Sequence, residues 1–270
     1  MVWSAEIVEE LRRRHLAEGV PWIEQRTVVV CEWNGGDPVP NFTAVLVQIA
    51  DRSFATTAAH CLKGWGKSRF LISLPNQDLV DLTTVQAEIP KNESMDFALL
   101  PLTQKMASKL SSFRTFVRLS EIDVAAGEPP AGIHAVLGYP IQLRERPADG
   151  WLSKAIFYPT QLTSAPDRRP DTTIALFLDD EHEDENGDRA RLPALQGISG
   201  CGVWRLHRKG DDPRTWSVGR IKLVGIEYGF IKGAILGVRA RHVIGGIATQ
   251  FPELEPCIEL VGIRIVRRRT

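Results

Sequence analysis

The chain has 270 residues, of which 43% are hydrophobic and 24% are charged, and its 33 basic residues balance its 33 acidic residues. This length suits one large domain or two smaller ones with substantial cores. The balanced charge argues against a general nucleic-acid or membrane-surface binder, which would carry a basic excess. No apolar run approaches the length of a membrane span, so we expect neither nucleic acid nor membrane among the partners.

The cysteines and the N-terminal residues favour a cytoplasmic protein. Acidic residues occupy the N-terminal stretch where a secretion signal needs an apolar run. The four cysteines (Cys31, Cys61, Cys201 and Cys257) are few for a secreted chain of this size, and their spacing fits no zinc motif. We therefore expect four free thiols in a reducing compartment, with no metal and no cofactor.

The N-terminal extension, residues 1–25, predicts a helix over residues 4–17. Ser4 can cap this helix, acidic residues fill its first turns, and three arginines follow near its end. Gly19 and Pro21 are expected to stop it.

From residue 26 the pattern changes to short β-rich runs separated by Gly, Pro, Asn and Asp, which is typical of closed antiparallel barrels or sandwiches. A first β-barrel is expected over residues 26–126, with a helical or irregular part at 104–126. A second barrel with a closing helix at 238–250 is expected over residues 127–250, and a tail or strand over 251–270. The predicted strands cover residues 27–33, 42–49, 54–59, 70–74, 81–89, 96–102, 133–137, 151–162, 172–178, 203–206, 216–226, 231–238 and 257–266.

Three segments carry residues with the chemistry of acyl transfer. The sequence GISG at 197–200 places Ser199 in a glycine turn that exposes its hydroxyl and gathers amide N–H groups in one small space. The apolar segment ending in TAAHC at 57–61 supplies His60 as a base, and DFALL at 96–100 supplies Asp96 to orient that base. Each of these residues alone could be a turn serine, a structural histidine or a strand-edge carboxylate.

Together, and in this order, the three segments resemble the signatures of the chymotrypsin/trypsin-like serine peptidase family, in particular its intracellular bacterial type. The resemblance implies an all-β fold of two six-stranded antiparallel β-barrels, with a cleft between them. It places His60 and Asp96 on the first barrel and Ser199 on the second, as catalytic residues. It also implies that the backbone N–H groups of Gly197 and Ser199 form the oxyanion hole.

Two departures from the digestive members of that family bear on activation. Ile198 stands where those members carry an Asp that pairs with a newly cleaved N-terminus, so the resemblance argues against activation by N-terminal trimming. The cysteine that would bridge to Cys61 is absent from the strand predicted at 42–49, which agrees with a reducing compartment.

The resemblance also suggests where a substrate side chain would bind. Pro193 lies six residues before Ser199, at the position of the pocket floor, and the substrate strand and pocket walls are expected to include Glu227, Tyr228, Gly229 and Gly237. The acidic run at 179–188 is expected to be a solvated loop. Alternatively, it forms a rim that attracts basic substrates or a basic regulator.

The sequence therefore predicts a metal-independent serine endopeptidase that acts on protein or peptide substrates. By resemblance, a regulatory protein partner in a bacterial defence or cell-suicide system would switch it on. The alternatives are a catalytically silent interaction module that keeps the barrels as a scaffold, and a housekeeping quality-control protease.

Overall fold

The computed structural model of the chain describes residues 4–74, 78–90, 95–127, 129–146, 152–164, 171–179, 181–183 and 189–263. Antiparallel sheets are the main regular structure of these residues, and the helices lie mainly towards the two ends of the chain. The helices are α1 (Ala5–Arg14), α2 (Val20–Glu24), α3 (Gln104–Ser111), α4 (Ala240–Gln250) and α5 (Glu255–Glu259). The strands are β1 (Thr27–Asn34), β2 (Asp37–Ile49), β3 (Arg52–Thr57), β4 (Phe70–Ser73), β5 (Leu79–Asp81), β6 (Ala98–Leu102), β7 (Val117–Arg118), β8 (Gly132–Gly138), β9 (Arg144–Glu145), β10 (Leu152–Ser153), β11 (Ile156–Thr160), β12 (Thr173–Phe177), β13 (Glu181–Glu183), β14 (Arg189–Arg191), β15 (Gly202–Arg208), β16 (Lys222–Ile231) and β17 (Ala234–Arg239).

The first barrel is a sheet with the strand order β5-β4-β1-β2-β3-β6, and the short β7 adds a parallel pair to β2. Its β-branched and aromatic residues favour strands because they pack well on a pleated surface. The sheet curls until the segment after β5 meets β6. There Glu88 and Leu99 exchange backbone hydrogen bonds of 2.8 and 2.9 Å.

The second barrel has the order β11-β8-β15-β16-β17-β12, and it closes in the same way. An isolated bridge joins Leu162, just after β11, to Leu176 on β12. Two further pairs of short strands, β9 with β10 and β13 with β14, lie outside this sheet. The structure thus confirms two six-stranded antiparallel barrels with helices at the ends of the chain.

The three largest groups of buried side chains among the described residues hold the fold together. One fills the first barrel and one the second, and the largest lies where the barrels and the terminal helices meet. This last group includes the fully buried Trp204 and Phe97, with Ile247 from α4. Burying a side chain of this size contributes about 1.5–3 kcal/mol, so the seam between the barrels is a major part of the core.

The N-terminal helix is longer than the sequence predicts. Residues His15–Gly19 form a wide π turn, and the chain continues as α2 to Glu24. Pro21 does not stop the helix because it lies in the first turn of α2, where its missing N–H costs no hydrogen bond. Leu11 and Ile23 are buried in the core at the barrel seam, which favours the continued helix.

The C-terminal segment also differs from expectation. The predicted closing helix is present as α4, but the strand predicted at 257–266 is wrong, because residues Glu255–Glu259 are helical. Pro256 fits the first turn of that helix, and Ile258 packs into the core beside Leu254. Residues 264–266 lie outside the described residues.

Three other predicted strands need correction. In place of the strand predicted at 81–89, the structure has a strand at Leu79–Asp81. The strand predicted at 151–162 is divided into β10 and β11, and residue 151 lies outside the described residues. The one at 216–226 begins only at Lys222, because short helical turns precede it and bury Trp216.

The acidic run is not entirely a loop, because residues Glu181–Glu183 pair with Arg189–Arg191. Residues 180 and 184–188 lie outside the described residues. No described helix combines the length and apolar character needed to cross a bilayer.

Candidate active site

His60 lies in a short helical turn, Ala59–Leu62, that follows the buried end of β3. Its ring Nδ1 is 2.8 Å from Asp96 Oδ2, and its backbone N–H donates to Asp96 Oδ1 at 3.0 Å. Both oxygens of one carboxylate therefore hold one histidine. An ionised carboxylate only accepts, so Nδ1 carries the proton and Nε2 is left as an acceptor.

Asp96 lies two residues before β6, at the edge of the seam. Burial alone raises the pKa of its carboxyl, but hydrogen bonds from the His60 side chain and backbone outweigh burial. The pKa of Asp96 therefore lies below its ordinary value, and the group is ionised at neutral pH. It can orient the His60 ring and stabilise its cation.

Ser199 lies in a tight turn between two glycines with left-handed backbones. Gly197 has φ of +96° and Gly200 has φ of +90°. A Cβ on Gly200 would lie 2.0 Å from Thr57 Oγ1 and 2.2 Å from the carbonyl oxygen of Thr43. Only glycine can adopt this φ at low cost and leave room for Thr57 and Thr43. Both threonines belong to the first barrel, so the turn packs directly against that barrel.

The amide groups of this turn fall into two sets. The N–H of Ile198 donates to Leu195 O at 3.2 Å, and that of Gly200 donates to Glu227 O at 2.9 Å. The N–H groups of Gly197 and Ser199, which alternate with them, have no acceptor among the described residues. Two amides next to a serine hydroxyl are thus available to a developing oxyanion.

Thr43 on β2 ties the Ser199 turn to the first barrel. Its Oγ1 donates to Gly197 O at 2.9 Å and accepts from the Tyr139 N–H at 3.2 Å, while its own N–H donates to Ser199 O at 3.1 Å. Thr43 is fully buried, so these bonds are shielded from water. This contribution cannot be read from the sequence, because no local pattern distinguishes one threonine in a strand from another.

The Cys61 thiol lies between the base and the turn. Its Sγ is 3.7 Å from His60 Nε2 and 3.7 Å from the carbonyl oxygen of Ser199. In the part of the chain that the structure describes, no hydrogen bond joins Ser199 Oγ to His60 Nε2. The imidazole Nε2 and the Ser199 backbone therefore both contact one sulfur atom.

The thiols near the site are poor nucleophiles. Burial raises the pKa of Cys61 to about 12, and it raises that of the fully buried Cys201 above its ordinary value. Both are protonated at neutral pH and therefore unreactive. All four cysteines of the chain are free.

The structure does not bring the predicted pocket residues together in one cavity. Pro193 lines a cavity of about 420 Å³, and the side chains that line this cavity are apolar except for that of Lys232. Tyr228 and Gly229 do not line this cavity, although Phe230 does. Gly237 lies in the barrel interior, where an added Cβ would come within 3.1 Å of Ile174 and Val203 side chains.

Glu227, the remaining predicted pocket residue, is completely buried. Its backbone accepts from Gly200 and its own N–H donates to Cys201 O at 2.8 Å. The assignment of a substrate pocket to these residues stays a prediction. Within the described ranges, no cluster of three or more His, Cys, Asp or Glu side chains could hold a metal ion.

Comparison with known proteins gives a clear result for the fold alone. Neither known family models nor curated sequences match the chain. Among solved structures, human heparin-binding protein superposes with a TM-score of 0.50 at 16% identity, over 83% of this chain and 92% of that one. Two serine proteases are also similar: the serine endoprotease from Yersinia pestis (TM-score 0.49, 12% identity, 89% of this chain and 65% of that one) and the serine protease domain of the Sesbania mosaic virus polyprotein (0.45, 13%, 83% and 91%).

Proposed function

We propose that this chain, which has the fold of the chymotrypsin/trypsin-like serine proteases, is a serine endopeptidase that uses His60, Asp96 and Ser199. The observation that carries the proposal is the two-point hydrogen bond between His60 and Asp96. It orients the imidazole beside a serine turn that has two unused amides.

The mechanism follows from these roles. Ser199 Oγ attacks the peptide carbonyl while His60 Nε2 takes its proton, and Asp96 stabilises the resulting imidazolium. The Gly197 and Ser199 N–H groups bind the oxyanion. His60 then gives the proton to the leaving amine, which departs as the acyl-enzyme forms. Water deprotonated by His60 attacks the ester and restores Ser199.

The missing bond between Ser199 Oγ and His60 Nε2 is compatible with this chemistry. Catalytic hydrogen bonds are often long or misaligned without substrate and tighten in the Michaelis complex. The same feature favours the second candidate function, a silent interaction module that keeps the barrels as a scaffold.

Replacement of Ser199 tests the proposal. Ser199→Ala should reduce turnover of an unfolded protein substrate by at least ~10⁴-fold with an unchanged fold, because the nucleophile is lost. Ser112→Ala, at the exposed end of α3, is the matched control and should leave turnover unchanged. Equal turnover by the Ser199→Ala variant and the wild-type chain would refute the assignment.

We further propose that a protein partner controls this activity in the cytoplasm, as in a defence or cell-suicide system. Ile198 is completely buried and carries no charge, so the turn has no carboxylate there to capture a new N-terminal amine. Activation by trimming is thereby disfavoured. A housekeeping quality-control protease would instead degrade many unfolded chains without a partner, and profiling of cleaved proteins separates the two.

A further inference from the structure

Glu227 is a carboxylic acid buried behind the candidate active site. It lies on β16 with a side chain that has no exposure to solvent. Its backbone oxygen holds the Gly200 N–H, and its N–H holds Cys201 O. It is thus bonded directly to the residues that follow Ser199.

The carboxyl group of Glu227 has no partner in the described part of the chain. Neither of its oxygens makes a hydrogen bond. Three titratable groups face it: Asp96 from the segment before β6, Cys61 from the turn after β3, and Cys201 from the residue before β15. None of these groups is a cation. The Gly229 and Gly200 amides lie close enough to lower its pKa in part.

These surroundings decide the charge state. A buried carboxylate without a cation is strongly disfavoured when two nearby backbone amides support its charge only in part, and the negative charge of Asp96 disfavours it further. Burial, and then Asp96, raise the pKa of Glu227 to about 8. The two thiols stay neutral, so the negative charge that acts on Glu227 is that of Asp96.

We infer that Glu227 is held as a neutral carboxylic acid behind the Asp96–His60 pair, and that it is a positioning residue for this pair and for the Ser199 turn. The inference deepens the proposed function and rests on it for its catalytic consequence. Deprotonation places a buried negative charge near the half-buried Asp96. It thereby displaces the strand whose backbone holds Gly200, so turnover falls when Glu227 ionises.

The charge state can be measured without any activity. In the Ser199→Ala background, infrared difference spectra between the chain and its Glu227→Gln variant should show the carbonyl band of a protonated carboxyl at pH 7, titrating near pH 8. Glu253→Gln, at an exposed glutamate paired with Arg52, is the matched control and should show no such band. Absence of the band from the Glu227 difference spectrum would overturn the inference.

The same state has a consequence for stability. Because the native pKa of about 8 lies above the ordinary 4.5, the native state binds more protons than the unfolded state between these values. The stabilising contribution is full below pH 4.5 and is lost as pH rises through 8. Glu227→Gln should remove this slope from the unfolding free energy, and an unchanged slope would contradict the inference.

The positioning role has its own readout in kinetics. For the wild-type chain, kcat/KM should fall about tenfold per pH unit above pH 8, and Glu227→Gln should remove this limb. Glu227→Ala should lower kcat about tenfold with little change in KM, and the Gln variant should recover most of that loss. A Gln variant with the wild-type pH profile, or one as impaired as the Ala variant, would overturn the role.

The failures of the two proposals are distinguishable. Turnover by the Ser199→Ala variant that equals turnover by the wild-type chain refutes the proposed function and the catalytic consequence of Glu227. The infrared band and the stability slope still decide whether Glu227 is neutral.

Discussion

At the residue scale, the Ser199 turn depends on a glycine that no side chain can replace. Gly200→Ala would force a Cβ to 2.0 Å from Thr57 Oγ1 and impose φ of +90° on a residue that disfavours it. We expect a loss of at least about 3 kcal/mol in the unfolding free energy, measured by denaturant titration.

Gly210 is the matched control for Gly200. It has φ of +96°, in the turn after β15, but an added Cβ would meet no atom within 4 Å. Gly210→Ala should therefore cost only the backbone strain, about 1–2 kcal/mol. Equal losses for the two variants would show that contact with the first barrel does not constrain the Ser199 turn.

The sequence predicted the chemistry of single residues better than their surroundings. His60 and Asp96 stood in recognisable segments, and the structure pairs them. The family resemblance places Glu227 among the residues that line the substrate pocket. Its complete burial could not be predicted, because it depends on the second barrel packing against the first.

At the scale of elements, strand β2 connects the Ser199 turn to the first barrel through Thr43. Thr43→Val keeps the shape but leaves Gly197 O and the Tyr139 N–H without the hydroxyl. Unfolding free energy should fall by about 2 kcal/mol and kcat by about tenfold, because the oxyanion amides lose their support.

Thr43→Ser is the control for this prediction, because it keeps the hydroxyl and removes a methyl group. It should recover most of the wild-type kcat in the same assay. If the Val and Ser variants had equal kcat, the hydroxyl would have no part in holding the turn.

Elements were predictable where a local pattern determines them. The buried β-branched runs of β2 and β3 and the glycine turns between strands are visible in the sequence. The segments that were wrong depend on tertiary contacts. The sequence predicts that Pro21 ends a helix, but the burial of Leu11 and Ile23 at the barrel seam favours a longer helix. The burial of Ile258 likewise favours a helix where the sequence predicts a strand.

At the scale of the whole molecule, two barrels bring together residues from distant parts of the sequence. His60 and Asp96 belong to the first barrel and Ser199 to the second, and Thr43, Cys61 and Gly200 make the contacts between them. The large buried cluster at the seam fixes the barrels against each other. The fold could be predicted because three motifs in this order are specific for one family of folds. The side chains that pack at the seam form no comparable pattern in the sequence.

The most direct test of the central claim is covalent labelling with a fluorophosphonate, with the modified residue mapped by peptide mass spectrometry. Under the proposed mechanism, Ser199 is the residue modified, and His60→Ala slows the reaction by about 10³-fold or more because the base is lost. Labelling of another residue, or labelling of Ser199 that is equally fast after His60→Ala, would contradict a nucleophile and a base that meet at the barrel seam.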